Sequence, residues 1–430
     1  MVFQNEIAKL STQFSIHNGN ENDQYVCPME ENEMSSAGRP RFFITKEQID
    51  GLRSLHFSWK KIAAMLNVSE RTIRRRRKEL RMEIGQAVSY SDISDEDLDA
   101  NIEHILNRSA NSGERMVFGA LKGFGLKVQR EKIRNSIRRV DPVSRELRKK
   151  TSIHRRTYNV TIPNALWHID GNHKLIRWRF VIHGGVDGFS RTIVYLRCST
   201  NNTSSTVFQL FLQSIQTYKC PRRVRSDHGT ENIDVARWML YHFGIDAKPF
   251  ITGLSVHNQR IERLWKDVNA YVTSYFSNLF HYLESVDLLD PLNELHLFAL
   301  HYVFKPRINQ ALVLFVTQWN NHPLSTGHNM TPYQLWVEGF YKFANANHET
   351  LREVADPTTL HIDTYGLDDD GPLPLIQTVN HVEIPESSLV LTQDQVTLIS
   401  TSVNPLEEDS EHGIQLYVNT CNLLERIHNL

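Results

Sequence analysis

Cysteine is scarce in this chain of 430 residues: Cys27, Cys198, Cys220 and Cys421 are scattered and form no CxxC pair. That spacing argues against a disulfide framework and against a local zinc site built on paired thiolates. Long apolar runs are missing as well. The most apolar helical stretch, residues 295–304, is short and contains His296 and His301, so it is too short to span a bilayer. No basic segment followed by an apolar one opens the sequence, and no secretory signal peptide is expected. A charge excess is also lacking, with a formal net charge of −1.

That near-neutrality conceals an uneven distribution. Residues 37–156 hold 28 Lys/Arg against 15 Asp/Glu, whereas residues 341–430 hold 3 against 15. Such asymmetry points to a nucleic-acid-binding half and an acidic C-terminal region. With 40% hydrophobic and 23% charged residues, the rest is ordinary globular usage, and the length accommodates two or three domains.

Residues 1–40 are polar, lack a sustained period and read as a disordered leader. Residues 41–85 read as a helix-turn-helix unit. Thr45 opens a helix with Ile49, Leu52 and Leu55 on one face, and a second helix begins at Trp59. The turn Asn67-Val68-Ser69 leads into a third, capped by Ser69 and expected over residues 70–82. Arg71, Arg74, Arg75, Arg76, Arg77, Lys78 and Arg81 ring that helix. In such a unit the last helix enters the major groove, where arginine meets phosphates or guanine edges. Arg71, Arg74, Arg75, Arg77 and Lys78 are the candidate contacts; a solvated charged helix or a nuclear-import signal is the alternative. Residues 92–142 form a second helical unit, with Leu98, Ile102, Ile105 and Leu106 at helical spacing. A basic helix over residues 129–140 carries Arg130, Arg134 and Arg138.

Beyond a linker ending at Pro163-Asn164, strands are expected over residues 166–169, 178–186, 192–197, 223–225 and 246–250. Helices are expected over 203–217 and 233–243, an order that implies a mixed α/β layer fold. Three acids close or open these elements: Asp170 in Trp167-His168-Ile169-Asp170-Gly171, Asp227 in Ser226-Asp227-His228-Gly229, and Glu262 in Asn258-Gln259-Arg260-Ile261-Glu262. Taken singly, Asp170 and Asp227 could be turn residues, and Glu262 a solvated helix charge paired with Lys266. Taken together they suit phosphodiester chemistry, in which two divalent cations about 3.5–4 Å apart share carboxylate ligands. Mg²⁺ binds through few carboxylates plus substrate phosphate and water. Asp187 and Glu231 read as structural acids, and His228 and His257 as flanking hydrogen-bond partners.

These residues resemble the catalytic core of the retroviral-integrase and DDE-transposase superfamily over residues 164–269. Val186-Asp187-Gly188-Phe189-Ser190-Arg191 is similar to the family's hairpin turn, and Ser226 to Glu231 to its second-acid context. Thirty-four residues separate Asp227 from Glu262, one fewer than the family's usual spacing. Residues 92–142 resemble the second helix-turn-helix that precedes the core in many insertion-sequence transposases. The resemblance implies a ribonuclease-H-like mixed-sheet core over residues 160–345, preceded by all-helical helix-turn-helix domains and followed by an acidic region over 346–430. It implies a DNA transposase or integrase in which Asp170, Asp227 and Glu262 hold two Mg²⁺ or Mn²⁺ ions for end cleavage and strand transfer. Lys266 would contact the DNA, while Asn269 stands where a second lysine often occurs. The expected partners are element ends, target DNA and further copies of the chain. The expected location is the nucleus in a eukaryote and otherwise the cytoplasm or nucleoid. A DNA-binding protein without catalysis and a nuclease without joining are the alternatives.

Overall fold

The computed structural model describes residues 42–55, 57–82, 90–109, 112–141, 160–253, 258–344, 384–385, 389, 391–409 and 411–428. The expected leader and His257 lie outside them.

Three short helices come first: α1 (Lys46–Ser54), α2 (Trp59–Met65) and α3 (Glu70–Glu79). Each starts on a side-chain cap, Thr45, Ser58 and Ser69, which accepts an otherwise unpaired backbone N–H of the first turn. Ile49, Leu52, Leu55, Ile62, Leu66 and Ile73 close a small core between them. A second helical unit follows, with α4 (Asp95–Arg108), α5 (Glu114–Gly123) and α6 (Arg130–Val140). Its core holds Leu98, Ile102, Ile105 and Leu106, at the helical spacing read from the sequence. After α5 the chain turns at Gly125, whose φ of +84° is a conformation that glycine adopts without steric cost.

The centre is a five-stranded sheet in the order β3-β2-β1-β4-β5. Its strands are β1 (Trp167–Asn172), β2 (Val181–Asp187) and β3 (Ile193–Ser199), then, after α7 (Ser204–Tyr218), β4 (Val224–Ser226), and, after α8 (Ile233–Phe243), β5 (Phe250–Thr252). The first three strands pair antiparallel, while β4 pairs parallel to both β1 and β5. Two strands start later than expected. Residues 176–178 form a 3₁₀ turn that reverses at Arg179 (φ +58°), and residues 245–247 form another before Lys248 (φ +43°). At both places a left-handed residue ends the turn before the extended segment begins.

Helices cover both faces of the sheet. α9 (Gln259–Val268) runs through a π turn over Asn269–Thr273 into α10 (Ser274–Ser285), and is followed by α11 (Glu294–Asn321) and α12 (Pro332–Ala344). Trp167 and Ile169 of β1 point to the face covered by α7, α8, α12 and the first helical unit. The opposite face, built on Ile182, Val186 and Leu196, packs on α9, α10 and α11. Because strand side chains alternate, His168, Asp170 and Asn172 are turned toward the α9 side. This is a ribonuclease-H-like mixed α/β core with helical units before it.

The described part of the acidic C-terminal region joins this core. α13 (Gln393–Ser402) and α14 (Ile414–His428) add Ile399, Tyr417, Cys421 and Leu424 to the cluster around α11. Arg307 of α11 donates to the carbonyls of Pro405 (2.8 Å) and Glu407 (2.6 Å). Acidic composition concealed the apolar stripe that makes these helices pack. Among the described residues, no helix is long and apolar enough to cross a membrane.

Candidate active site

β1 and β4 lie side by side and parallel, with His168 opposite Arg225. Two residues further along each strand direction stand Asp170, still within β1, and Asp227, just past the end of β4, so the sheet itself brings the two acids side by side. Asp227 is fixed by local turn chemistry, its Oδ1 accepting the Gly229 N–H at 3.1 Å. Glu262 sits in the first turn of α9, where a carboxylate is favoured by the helix dipole.

The three acids feel one another. Burial and the negative charges of Asp227 and Glu262 hold the Asp170 carboxyl well above the usual carboxylate range. Burial and Asp227 raise Glu262 to about 6, against the pull of Lys266 one turn further on. Among the described residues, no three His, Cys, Asp or Glu side chains stand in a ready-made metal-ligand cluster. The donor chemistry nevertheless fits a hard divalent cation: three mutually repelling, oxygen-bearing side chains whose charge a cation would neutralise.

Side-chain hydrogen bonds tie α9 to β1 at three levels. Asn258, just before α9, meets His168 Nδ1 through its Oδ1 (2.8 Å) and donates to the Ile169 carbonyl (2.7 Å). Trp265 Nε1 donates to Asp170 Oδ2 at 2.7 Å. Asn172 donates to Asn269 Oδ1 at 3.0 Å, and Thr273 donates to the same oxygen at 2.7 Å. Asn269, which stands where a second lysine often occurs, serves the strand–helix junction. Sequence reasoning missed Trp265. The available signal was its position three residues after Glu262, which puts it on the strand-facing side of the helix.

His173 was missed too. It lies close enough to Asp227 for that carboxylate to oppose the lowering of its pKa by burial. His228 is exposed. Asp187 is a structural acid, as its sequence context suggests: it is fully buried and accepts from the backbone N–H groups of Asn164 (2.9 Å) and Ser190 (2.7 Å).

The basic residues differ in what they touch, and Arg75 pairs with Glu79 at 3.6 Å. Arg71, Arg74, Arg75 and Lys78 are exposed and share one face of α3. Arg77 is turned elsewhere, its guanidinium 3.7 Å from the centre of the Trp59 ring. Arg130 and Arg134 of α6 both bind Glu114 of α5, and Arg138 bonds to Asn135 at 3.2 Å. Residues 42–82 hold eleven Lys/Arg against four Asp/Glu, whereas residues 90–141 hold nine of each. The local positive field therefore belongs to the first unit. Lys266 is exposed one turn beyond Glu262.

Residues 157–350 match the family described as integrase core domain. Among solved structures, the chain is similar to the HTLV-2 integrase catalytic core domain in complex with magnesium. The two are 19% identical, the match covers 41% of this chain and 99% of that one, and the TM-score is 0.27. It is also similar to the simian T-cell lymphotropic virus intasome in complex with the PP2A regulatory subunit B56 gamma, with 16% identity, 55% and 72% coverage and a TM-score of 0.33. A search of curated proteins finds no match. The family match and the mixed sheet with its flanking helices agree over the same segment, so residues 157–350 are similar to an integrase core domain.

Proposed function

We propose that this protein is a metal-dependent polynucleotidyl transferase that cuts DNA ends and joins them to target DNA, with Asp170, Asp227 and Glu262 as its catalytic carboxylates. The observation that carries the proposal is their convergence: strand β1, the residue after its neighbour β4 and one helix start bring three acids within mutual electrostatic reach. Such charge repulsion is costly in a fold and finds its compensation when cations bind.

Asp170, Asp227 and Glu262 would hold two Mg²⁺ or Mn²⁺ ions. When bound, these supply Lewis-acid activation of the attacking oxygen and stabilisation of the leaving oxygen. The chain's own residues do the positioning. The hydrogen bonds from Asn258, Trp265 and Asn172 hold the helix bearing Glu262 against the strand bearing Asp170. Lys266, exposed beside Glu262, is placed to meet a DNA phosphate. The strip Arg71, Arg74, Arg75 and Lys78 provides the duplex contact of the first helical unit. In the second unit, Arg138 has no acidic partner among its described hydrogen bonds, while Arg130 and Arg134 would exchange Glu114 for phosphate. Synapsis of two ends calls for at least a dimer, and DNA as substrate places the protein in the nucleus of a eukaryote.

The test is nicking and joining of labelled duplexes with Mg²⁺ or Mn²⁺, comparing the native chain with Asp227→Asn. Joined product that disappears in the variant is expected. Metal-dependent cutting without joining would reduce the protein to a nuclease. Tight DNA binding with no cleavage by either protein would leave a binding protein.

A further inference from the structure

The indole of Trp265 lies over the strand pair that carries Asp170. Asp170 of β1 faces Gly184 of β2 in the antiparallel register. A Cβ on Gly184 would stand 2.7 Å from the far edge of the Trp265 ring, closer than such atoms pack, so the ring needs a residue without a side chain beneath it. Pressed onto that gap and 5% exposed, the ring is aimed so that its Nε1–H reaches Asp170 Oδ2 at 2.7 Å. Ile261 Cδ1 and Leu196 Cδ1 also border the gap over Gly184, at 3.3 and 3.1 Å. They leave the indole little room to move.

An indole offers a single donor and no acceptor. Here that donor is spent on a carboxylate standing among two other carboxylates. The bond favours the charged form of Asp170 and opposes burial and the repulsion of Asp227 and Glu262. It also selects one orientation of the carboxyl plane. Trp265 is on the same helix as Glu262, three residues on, so a single rigid element sets the position of one acid and the orientation of another.

Resting on the reading of the three acids as metal ligands, we propose that Trp265 is a positioning residue: its indole N–H, seated on Gly184, holds the Asp170 carboxylate ready for a divalent cation. Groups that orient a metal ligand typically change affinity by roughly 10- to 100-fold when they are removed.

The measurement is Mn²⁺ binding to the full chain, followed by the electron paramagnetic resonance signal of free Mn²⁺, for the native protein, Asp170→Asn, Trp265→Phe and Gly184→Ala. Phenylalanine removes the donor and keeps a smaller aromatic ring on the same side of the helix. Alanine at 184 keeps the donor and pushes the ring off its seat. Both variants should bind Mn²⁺ about tenfold more weakly. With indole-¹⁵N-labelled tryptophan, one resonance, absent from Trp265→Phe, should move on addition of Mg²⁺ and in Asp170→Asn, a response that a merely structural tryptophan would not give. Native affinity in Trp265→Phe would overturn the role of Trp265 alone, even if that variant loses stability. If the native chain fails to bind Mn²⁺, or binds it equally well as Asp170→Asn, the metal-site reading itself falls, and this inference with it.

Discussion

Asn258 meets His168 in a buried hydrogen bond of 2.8 Å while its amide donates to the carbonyl of the next residue, Ile169, at 2.7 Å. Both asparagine and histidine are essentially inaccessible to solvent. Burial and the nearby Arg225 push the His168 imidazole down to about 3, so the ring is neutral and one nitrogen depends on Asn258. The asparagine stands four residues before Glu262 and the histidine two before Asp170. This contact therefore sets the entry of α9 relative to the first strand.

Asn258→Ala should remove the hydrogen bonds that Asn258 makes to a buried ring nitrogen and a buried carbonyl. Each unsatisfied group costs about 1–3 kcal/mol. A loss of roughly 2–4 kcal/mol in urea unfolding is expected, together with weaker Mn²⁺ binding because Glu262 loses its anchor. Stability within 0.5 kcal/mol of native, a figure on the order of an ordinary surface substitution, would show that the contact does not fix the helix.

Asp170 and Glu262 give the metal-free protein an unusual pH dependence. Burial and mutual repulsion raise Glu262 to about 6 and Asp170 well above its ordinary value. The folded state then holds protons that the unfolded chain has already lost. Stability from these groups is present below their unfolded values and is lost as pH rises through their folded ones. Mg²⁺ or Mn²⁺ should therefore raise the Tm more at about pH 8 than at about pH 5, where protons compete for the same oxygens. In metal-free buffer at the higher pH, Asp170→Asn should melt above the native chain. An equal metal-induced shift at both values would mean that the cations bind elsewhere.

Much of this was legible because a few residues act through their immediate neighbours in the chain. Thr45, Ser58 and Ser69 cap helices from one residue upstream, and Asp187 binds the turn that follows it. The alternation in β1 separates Trp167 and Ile169 from His168 and Asp170. The unread part depends on long-range pairing. The spacing of Trp265 from Glu262 tells only its side of the helix, and nothing local to Asn258, Trp265 or Asn269 reveals partners 90, 95 and 97 positions away. Gly184 shows its purpose only once Trp265 is seen above it. The strands expected at residues 178 and 246 start later because Arg179 and Lys248 adopt left-handed conformations that propensity does not foretell.

Lys219 ends α7 with φ +66° and ψ 167°, a combination that glycine tolerates and a lysine side chain does not. Removing the side chain should relieve strain on the order of 1–3 kcal/mol, less the entropy that glycine adds to the unfolded chain. Lys219→Gly is thus expected to stabilise by about 1 kcal/mol, read as a higher midpoint in chemical denaturation. A lower midpoint would show that the local backbone is held at no cost.

Two arginines of α3 that stand three residues apart should behave in opposite ways. Arg74 is exposed on the strip with Arg71, Arg75 and Lys78, whereas Arg77 stacks on Trp59, which Arg53 also covers from 4.5 Å. A phosphate contact appears in the salt dependence of DNA binding, because each neutralised phosphate releases counterions. Arg74→Ala should lower the slope of log affinity against log salt by about one and leave the Tm unchanged. Arg77→Ala should leave the slope intact and lower stability by about 0.5–1 kcal/mol through the lost cation–π contact. Loss of slope in Arg77→Ala at native stability would mean that the guanidinium leaves Trp59 when DNA arrives. The exposed strip would then have to be redrawn to include it.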